Sequence, residues 1–160
     1  NIGEELGTET GGATHYRMLV RGADETLYLD ISGIAAKSAT IRFISDMTRT
    51  MQNVNTAYVA GAAYATESSA IPEIGILVEL TKNLAELRTG SRELSPGFQK
   101  FFDNHIGIWE VGHENKLRDA CRDYITTQSQ RAKFKGGFES VMRTMDYWWN
   151  GLYKEIKRTI

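Results

Sequence analysis

The chain has 160 residues, of which 41% are hydrophobic and 24% charged, and its net charge is −1. These proportions belong to a globular chain long enough to bury a core, and they exclude a disordered or low-complexity protein. No apolar run approaches the roughly 18 residues that cross a membrane, and a single cysteine, Cys121, excludes an internal disulfide framework. We therefore expect a soluble protein without a membrane span, in a reducing compartment such as the cytoplasm.

The N-terminal segment divides into an arm and the start of a folded domain. Residues 1–14 are rich in Gly, Glu and Thr, which predicts a flexible arm. Residues 15–160 are predicted to form a single domain. Within it, two β-prone runs flank a Gly/Asp turn, and Leu27, Leu29 and Ile31 alternate with polar side chains. This pattern predicts a short β-hairpin at about 15–31, packed on helices or paired between subunits.

The first long helix is predicted at about 35–67 from apolar residues that repeat at alternating intervals of three and four. The repeat comprises Ile44, Met47, Met51, Val54, Tyr58, Gly61 and Ala65. Residues 57–65 carry no charge on any face, which is typical of a helix surrounded by protein. Because Ala57, Gly61 and Ala65 recur every four residues, another helix or subunit is expected to approach closely there.

Three further helices follow from proline starts and glycine stops. The second is predicted to begin at Pro72 and end at Gly90, with its buried side formed by Leu77, Leu80, Leu84 and Leu87. Ser95-Pro96 is expected to start the third, with a break near Gly112. Gly136-Gly137 is predicted to separate it from a last helix at about 138–158, whose aromatic face contributes Trp148, Trp149 and Leu152 to packing. The predicted fold is mainly α, a four- to five-helix bundle with the N-terminal hairpin.

Glu110-Val-Gly-His113 is the one metal-like motif. Its Glu-x-x-His spacing places a carboxylate and an imidazole on one helix face, as in the carboxylate-bridged metal sites of four-helix proteins. Such a site needs a second copy of the motif, which the sequence lacks. We therefore predict no cofactor and keep Glu110 and His113 as metal candidates, with a solvated helix surface as the alternative.

A basic tract near the C-terminus is the candidate for an anionic partner. Residues 116–160 hold ten Lys/Arg against five Asp/Glu, whereas residues 1–115 hold nine against fifteen. Arg131, Lys133, Phe134, Lys135 and Arg143 would grip phosphates and stack on a base around the predicted Gly-Gly loop. The alternative is that the two oppositely charged portions complement each other within one bundle or between neighbouring subunits.

The sequence leaves three function hypotheses. No phosphate-binding loop or nucleophile elbow is present, so enzymatic activity is not favoured. The leading hypothesis is a structural or interaction subunit of a larger homo- or hetero-oligomer, assembled through helix packing. The alternatives are a nucleic-acid-binding accessory subunit and a small helical metal protein or enzyme around Glu110 and His113.

Overall fold

The computed structural model describes residues 14–158, without the side chains of Ile108 and Trp109, and these residues are mainly helical. The helices are α1 (His15–Leu27), α2 (Ser38–Met51), α3 (Thr56–Thr89), α4 (Pro96–Asn104), a π-helix (His105–Trp109), α5 (Glu110–Tyr124) and α6 (Gln128–Lys157). The predicted mainly α fold class is therefore confirmed. All but Thr14 of the predicted flexible arm lies outside the described residues.

The predicted N-terminal β-hairpin is wrong, since α1 occupies most of its range. Thr14 caps this helix by accepting a hydrogen bond from the Arg17 N–H at 3.2 Å. Gly22, which the sequence pattern marks as a turn, lies inside α1, where a Cβ would collide with the ring of Phe98. The helix ends where Tyr28 adopts a left-handed conformation with φ 52°. A left-handed tyrosine gives no sequence signal, because glycine or asparagine normally marks this position.

The predicted helix at 35–67 is interrupted between Met51 and Thr56. The Asn53 side chain accepts a hydrogen bond from the Asn55 N–H at 2.9 Å, and Asn55 accepts one from the Tyr58 N–H at 3.0 Å. These local bonds replace the helical ladder, as asparagine side chains often do. Val54, part of the predicted apolar repeat, is consequently fully exposed.

The predicted helix start at Pro72 is also wrong, because α3 continues through it. A proline within a helix removes one backbone donor and crowds the preceding turn. In that turn the Ser68 and Ser69 hydroxyls donate to the carbonyls of Ala65 and Thr66, both at 3.3 Å. The predicted stop is confirmed, since α3 ends at Thr89 and Gly90 takes a left-handed φ of 77°.

Of the remaining predicted helix boundaries, the start at Ser95-Pro96 is confirmed, whereas the predicted breaks near Gly112 and at Gly136-Gly137 are wrong. Ser95 caps α4 by accepting from the Phe98 N–H at 3.4 Å, with Pro96 in the first turn, as predicted. Gly112 lies inside α5, and the irregular segment is the π-helix before it. The Gly136-Gly137 pair lies inside α6, which starts at a capping box formed by Thr127 and Gln130.

The described residues are organised as two compact units. The first unit contains the described part of Asn1–Ile34 together with Ala70–His113. Val78, Phe98 and Phe102 form its buried core. Arg88 Nε donates to the Leu27 carbonyl at 2.7 Å, and the Ser95 N–H donates to Thr26 Oγ1 at 2.9 Å. Both bonds tie the C-terminal turn of α1 to other segments of this unit, because Arg88 lies in the last turn of α3 and Ser95 directly precedes α4.

The second unit contains Ala35–Ser69 and the described part of Glu114–Ile160. Its core consists of Ala62, Ala65, Val141 and Met145, flanked by half-buried Phe43, Met47, Met51 and Phe138. The Glu155 carboxylate accepts from Ser38 Oγ at 2.7 Å and from the Ala39 N–H at 3.3 Å, at the start of α2. This bond provides the N-terminal cap that Lys37 cannot. The single-domain prediction for residues 15–160 stays a prediction.

Among the described residues, none of the helices combines the length and the apolar character that a bilayer crossing requires.

Candidate functional site

A π-helix joins α4 to α5 without an intervening loop. The Glu110 N–H donates to the carbonyl of His105, five residues earlier, which widens the helix over His105–Trp109. Short π-segments are rare and occur frequently at functional sites, because the extra residue re-aims the side chains around it. The sequence shows Gly107 within this stretch but carries no other signal of the irregular backbone. Glu110 and His113 follow directly.

Glu110 and His113 lie on one face of the first turn of α5, as their spacing predicts. Glu110 Oε2 is 3.8 Å from His113 Nδ1, and the side chains are only 14% and 11% exposed. This separation is too long for a hydrogen bond. It places two potential metal-binding atoms side by side in a mostly buried setting, which disfavours the solvated-surface alternative.

The same unit holds a pair of buried histidines that sequence analysis did not connect. The rings of His15 and His105 lie 4.6 Å apart, and the Phe101 ring is 4.1 Å from His105. His105 Nδ1 donates to the Phe101 carbonyl at 2.6 Å, which fixes the ring and places the proton on that nitrogen. The sequence pattern places His15 in the predicted β-hairpin, so it gives no indication of the position of His15 beside His105.

The basic tract is carried by one helix and not by a loop. Successive residues of a helix are rotated by about 100°, so Arg131 and Lys135 share a face that Lys133 does not. Lys135 Nζ lies 3.6 Å from Glu139 Oε1, and Arg143 Nη1 lies 4.0 Å from Glu139 Oε2. The Glu139 carboxylate thus partly neutralises the charges of Lys135 and Arg143, two of the residues that are predicted to contact phosphate.

Phe134 is half-buried, and its ring lies 5.9 Å from that of Tyr64. The ring therefore packs within the second unit. Nothing in these contacts tests nucleic-acid binding, which stays a prediction.

The predicted packing residues lie within the second unit. Ala57, Gly61 and Ala65 are buried on α3, and the backbone of Phe134 lies against Gly61. Trp148 stacks on Phe43 at 4.6 Å and donates from Nε1 to Thr40 Oγ1 at 3.2 Å. Trp149, the next residue in the sequence, and Leu152 are both half-buried. These contacts are made inside one chain, and a role between subunits stays a prediction.

The comparisons with known proteins agree with the helical architecture. Residues 1–155 match the family model described as a domain of unknown function with a solved structure, DUF3865. The chain belongs to this family.

Two crystal structures of a CADD-like protein of unknown function from Nostoc punctiforme are similar over 97% of this chain. Their TM-scores are 0.85 and 0.80, at identities of 30% and 28%. The chain spans 64% and 61% of the length of these two structures. None of the curated proteins matches the sequence.

Proposed function

We propose that the protein binds a first-row divalent metal ion, Fe²⁺, Mn²⁺ or Zn²⁺, through Glu110 and His113. The observation that carries the proposal is the 3.8 Å separation of Glu110 Oε2 and His113 Nδ1 in a mostly buried setting. A carboxylate and an imidazole together suit these ions better than Ca²⁺ or Mg²⁺, which prefer oxygen ligands.

The separation of the two atoms fits a shared ion. In a tetrahedral site, two ligand atoms that are each about 2.1 Å from the metal lie roughly 3.4 Å from one another. A small rotation of either side chain closes the difference from 3.8 Å. Because both residues lie in one helical turn, the backbone already holds the two ligands in register. The adjoining π-helix supports the proposal, since such segments are frequent where side chains are aimed at a ligand.

Glu110 and His113 provide two donor atoms, and a protein-bound metal takes four or more. Water or further carboxylates of the chain would complete the coordination. Such a centre would act as a Lewis acid or, with iron or manganese, in electron transfer.

The test is metal analysis of the purified chain, together with titration of the apoprotein with Mn²⁺, Zn²⁺ and Co²⁺. We expect near-stoichiometric metal, and a visible absorption band for the Co²⁺ form that reports the coordination geometry of the bound ion. Glu110→Gln and His113→Ala should each weaken binding by about 10-fold or more, while the exposed carboxylate variant Glu93→Gln serves as the control. Replacing Glu73, a half-buried glutamate of the same unit, by glutamine searches for a further ligand.

Circular dichroism would show whether each variant retains its helices. A folded wild-type protein that binds none of these ions at micromolar concentration contradicts the proposal. Equal weakening by Glu93→Gln and Glu110→Gln contradicts it as well, because it would indicate non-specific binding.

The second candidate function is assembly with a second copy of this chain, carried by an exposed leucine row on α3. The sequence predicts that Leu77, Leu80, Leu84 and Leu87 form the buried side of their helix, and this is wrong. Leu80 is 53% exposed and Leu87 is 84% exposed. The helix instead turns Val78 and Ala85 inward, on a second face that lies roughly 130° around the helix axis from the leucine row. A helix segment that is apolar on two faces belongs between two layers of protein.

The leucine row is self-complementary. Its intervals of three, four and three residues are symmetric about residue 82, so an antiparallel copy of the helix would place Leu80 against Leu84 and Leu77 against Leu87. The neighbouring positions Ile76, Thr81 and Asn83 carry no charge that would oppose this pairing. Light scattering at increasing concentration is the test, and we expect a mass of twice 18.0 kDa.

The double variant Leu80→Glu/Leu84→Glu should produce a folded monomer, whereas Val54→Glu, in the exposed link before α3, should leave the mass unchanged. A wild-type chain that stays monomeric at the highest attainable concentration contradicts self-assembly.

A further inference from the structure

A cleft in the second unit combines an apolar floor with an arginine rim. Its volume is about 420 Å³, a size typical of small-molecule sites. The floor is formed by Tyr64, Cys121, Ile125 and Phe134. Cys121 is only 8% exposed, while the other three side chains are half-buried. A flat, apolar ligand body would therefore cover surface that is already mostly withdrawn from water.

The floor is uncharged at neutral pH. Burial raises the pKa of the Cys121 thiol, so the thiol keeps its proton. Burial and the nearby Glu114 carboxylate likewise raise the pKa of Tyr64, whose hydroxyl donates to Glu114 Oε1 at 3.3 Å. The Tyr64 and Phe134 rings lie 5.9 Å apart and offer aromatic faces or edges to a ligand.

The rim contributes three guanidinium groups, those of Arg118, Arg122 and Arg131. Arg122 Nη2 lies 3.1 Å from Asp119 Oδ1, and Arg118 Nε lies 3.7 Å from the same oxygen. Arg131 Nη2 donates to a backbone carbonyl, that of Thr126, at 3.2 Å. Asp119 thus stands against two of the three cations, and the Glu114 carboxylate bonded to Tyr64 is a second negative charge beside the cleft. Three arginines against these two carboxylates leave a surplus of one positive charge around the apolar floor.

The helical register explains why these residues converge. Arg118 and Arg122 lie four residues apart on α5, Ile125 follows directly after its end, and Arg131 and Phe134 are three apart on α6. Lys133 and Lys135, although they belong to the same basic tract, do not line the cleft.

We propose that this cleft binds a small organic anion with a flat apolar body, its anionic group held by Arg131 and Arg122 and its body lying on Phe134 and Tyr64. A guanidinium fork suits a carboxylate, sulfonate or phosphate group through paired hydrogen bonds. This site is independent of Glu110 and His113, and its test does not depend on metal.

The test uses naphthalene-2-sulfonate as the probe. Two comparison compounds each lack one of its features: 2-naphthalenemethanol has the aromatic body without a charge, and inorganic phosphate is an anion without an aromatic body. Calorimetric titration of the wild-type chain is expected to give binding of the sulfonate at least 10-fold tighter than that of either comparison compound. Arg131→Gln should weaken sulfonate binding at least 10-fold, and Phe134→Leu should weaken it to a lesser extent. Lys133→Gln, two residues away on the same helix and outside the cleft, is the matched control and should have no effect.

Cys121 provides a second readout, because it is the only cysteine in the chain. Saturating sulfonate should slow alkylation of Cys121 several-fold, which locates the ligand over the cleft floor. Three results would overturn the proposal: no binding of the sulfonate at millimolar concentration, equal weakening by Arg131→Gln and Lys133→Gln, or binding that leaves the alkylation rate of Cys121 unchanged.

Discussion

The backbone carbonyl of Phe134 lies directly against Gly61, leaving no room for a side chain at residue 61. The relationship is reciprocal, because Gly137 lies in the same way against the carbonyl of Tyr58. Within the second unit, the N-terminal part of α3 and the helix α6 therefore meet backbone to backbone at two glycines. Such close approach maximises contact along the helices and is available only where Cβ is absent.

Gly61→Ala is therefore expected to destabilise the protein, although alanine normally favours a helix. The new Cβ would overlap the Phe134 carbonyl, which cannot move without shifting α6. We expect the free energy of unfolding to fall by about 1–3 kcal/mol, measured by urea denaturation. Gly75→Ala is the control, because it is also in α3 and has no atom within 4 Å of the added Cβ. It should stabilise the chain by about 0.5–1 kcal/mol. Equal effects of the two variants would contradict the close contact.

Val141 and Val54 provide a matched test of the second unit's core. Val141 is 0% exposed and packs with Ala62, Ala65 and Met145, whereas Val54 is 100% exposed. Val141→Ala removes two buried methyl groups and leaves a cavity, so we expect a loss of about 1–3 kcal/mol in the free energy of unfolding. Val54→Ala should change it by less than about 0.5 kcal/mol. Thermal and urea unfolding of both variants measure the difference, and a similar loss in both would refute the assigned core.

Cys121 is expected to make stability depend on alkaline pH. Burial raises the pKa of its thiol, so the folded state holds the proton more tightly than the unfolded state. This contribution is complete below the unfolded pKa and is lost as the pH rises through the folded pKa. As the pH rises above the ordinary thiol pKa of about 8.5, the wild type should lose more stability than Cys121→Ala. Urea midpoints across this range measure the difference, and parallel pH profiles would disprove it.

Nucleic-acid binding by the basic tract makes a prediction that depends on salt. If Arg131, Lys133, Lys135 and Arg143 contact phosphates, binding of labelled single-stranded or duplex oligonucleotides should weaken steeply as the salt concentration rises. The double variant Lys133→Glu/Lys135→Glu should then abolish binding at low salt, with Lys37→Glu, at the residue before α2, as the control. Fluorescence anisotropy is the measurement. Absence of binding of either oligonucleotide at low salt removes this hypothesis.

The sequence by itself determined the features that depend on neighbouring residues along the chain. The mainly helical class follows from apolar periodicity, and the ends at Ser95-Pro96 and Gly90 follow from local capping chemistry. The common face of Glu110 and His113 follows from a spacing of three residues in a helix. Each of these needs only one turn of backbone to be specified, so the pattern in the sequence was sufficient.

Only the tertiary structure decided what the ambiguous residues do. Glycine permits either a turn or a close contact, and the choice at Gly22 and Gly137 depends on Phe98 and Tyr58, which are distant in sequence. The leucine row of α3 has the same periodicity whether it faces the core or solvent, because periodicity defines a face without naming its partner. The arginine-rimmed cleft has the same origin: α5 and α6 must first pack before Arg118 and Arg131 can face one apolar floor. These choices rest on long-range packing, which no local pattern encodes.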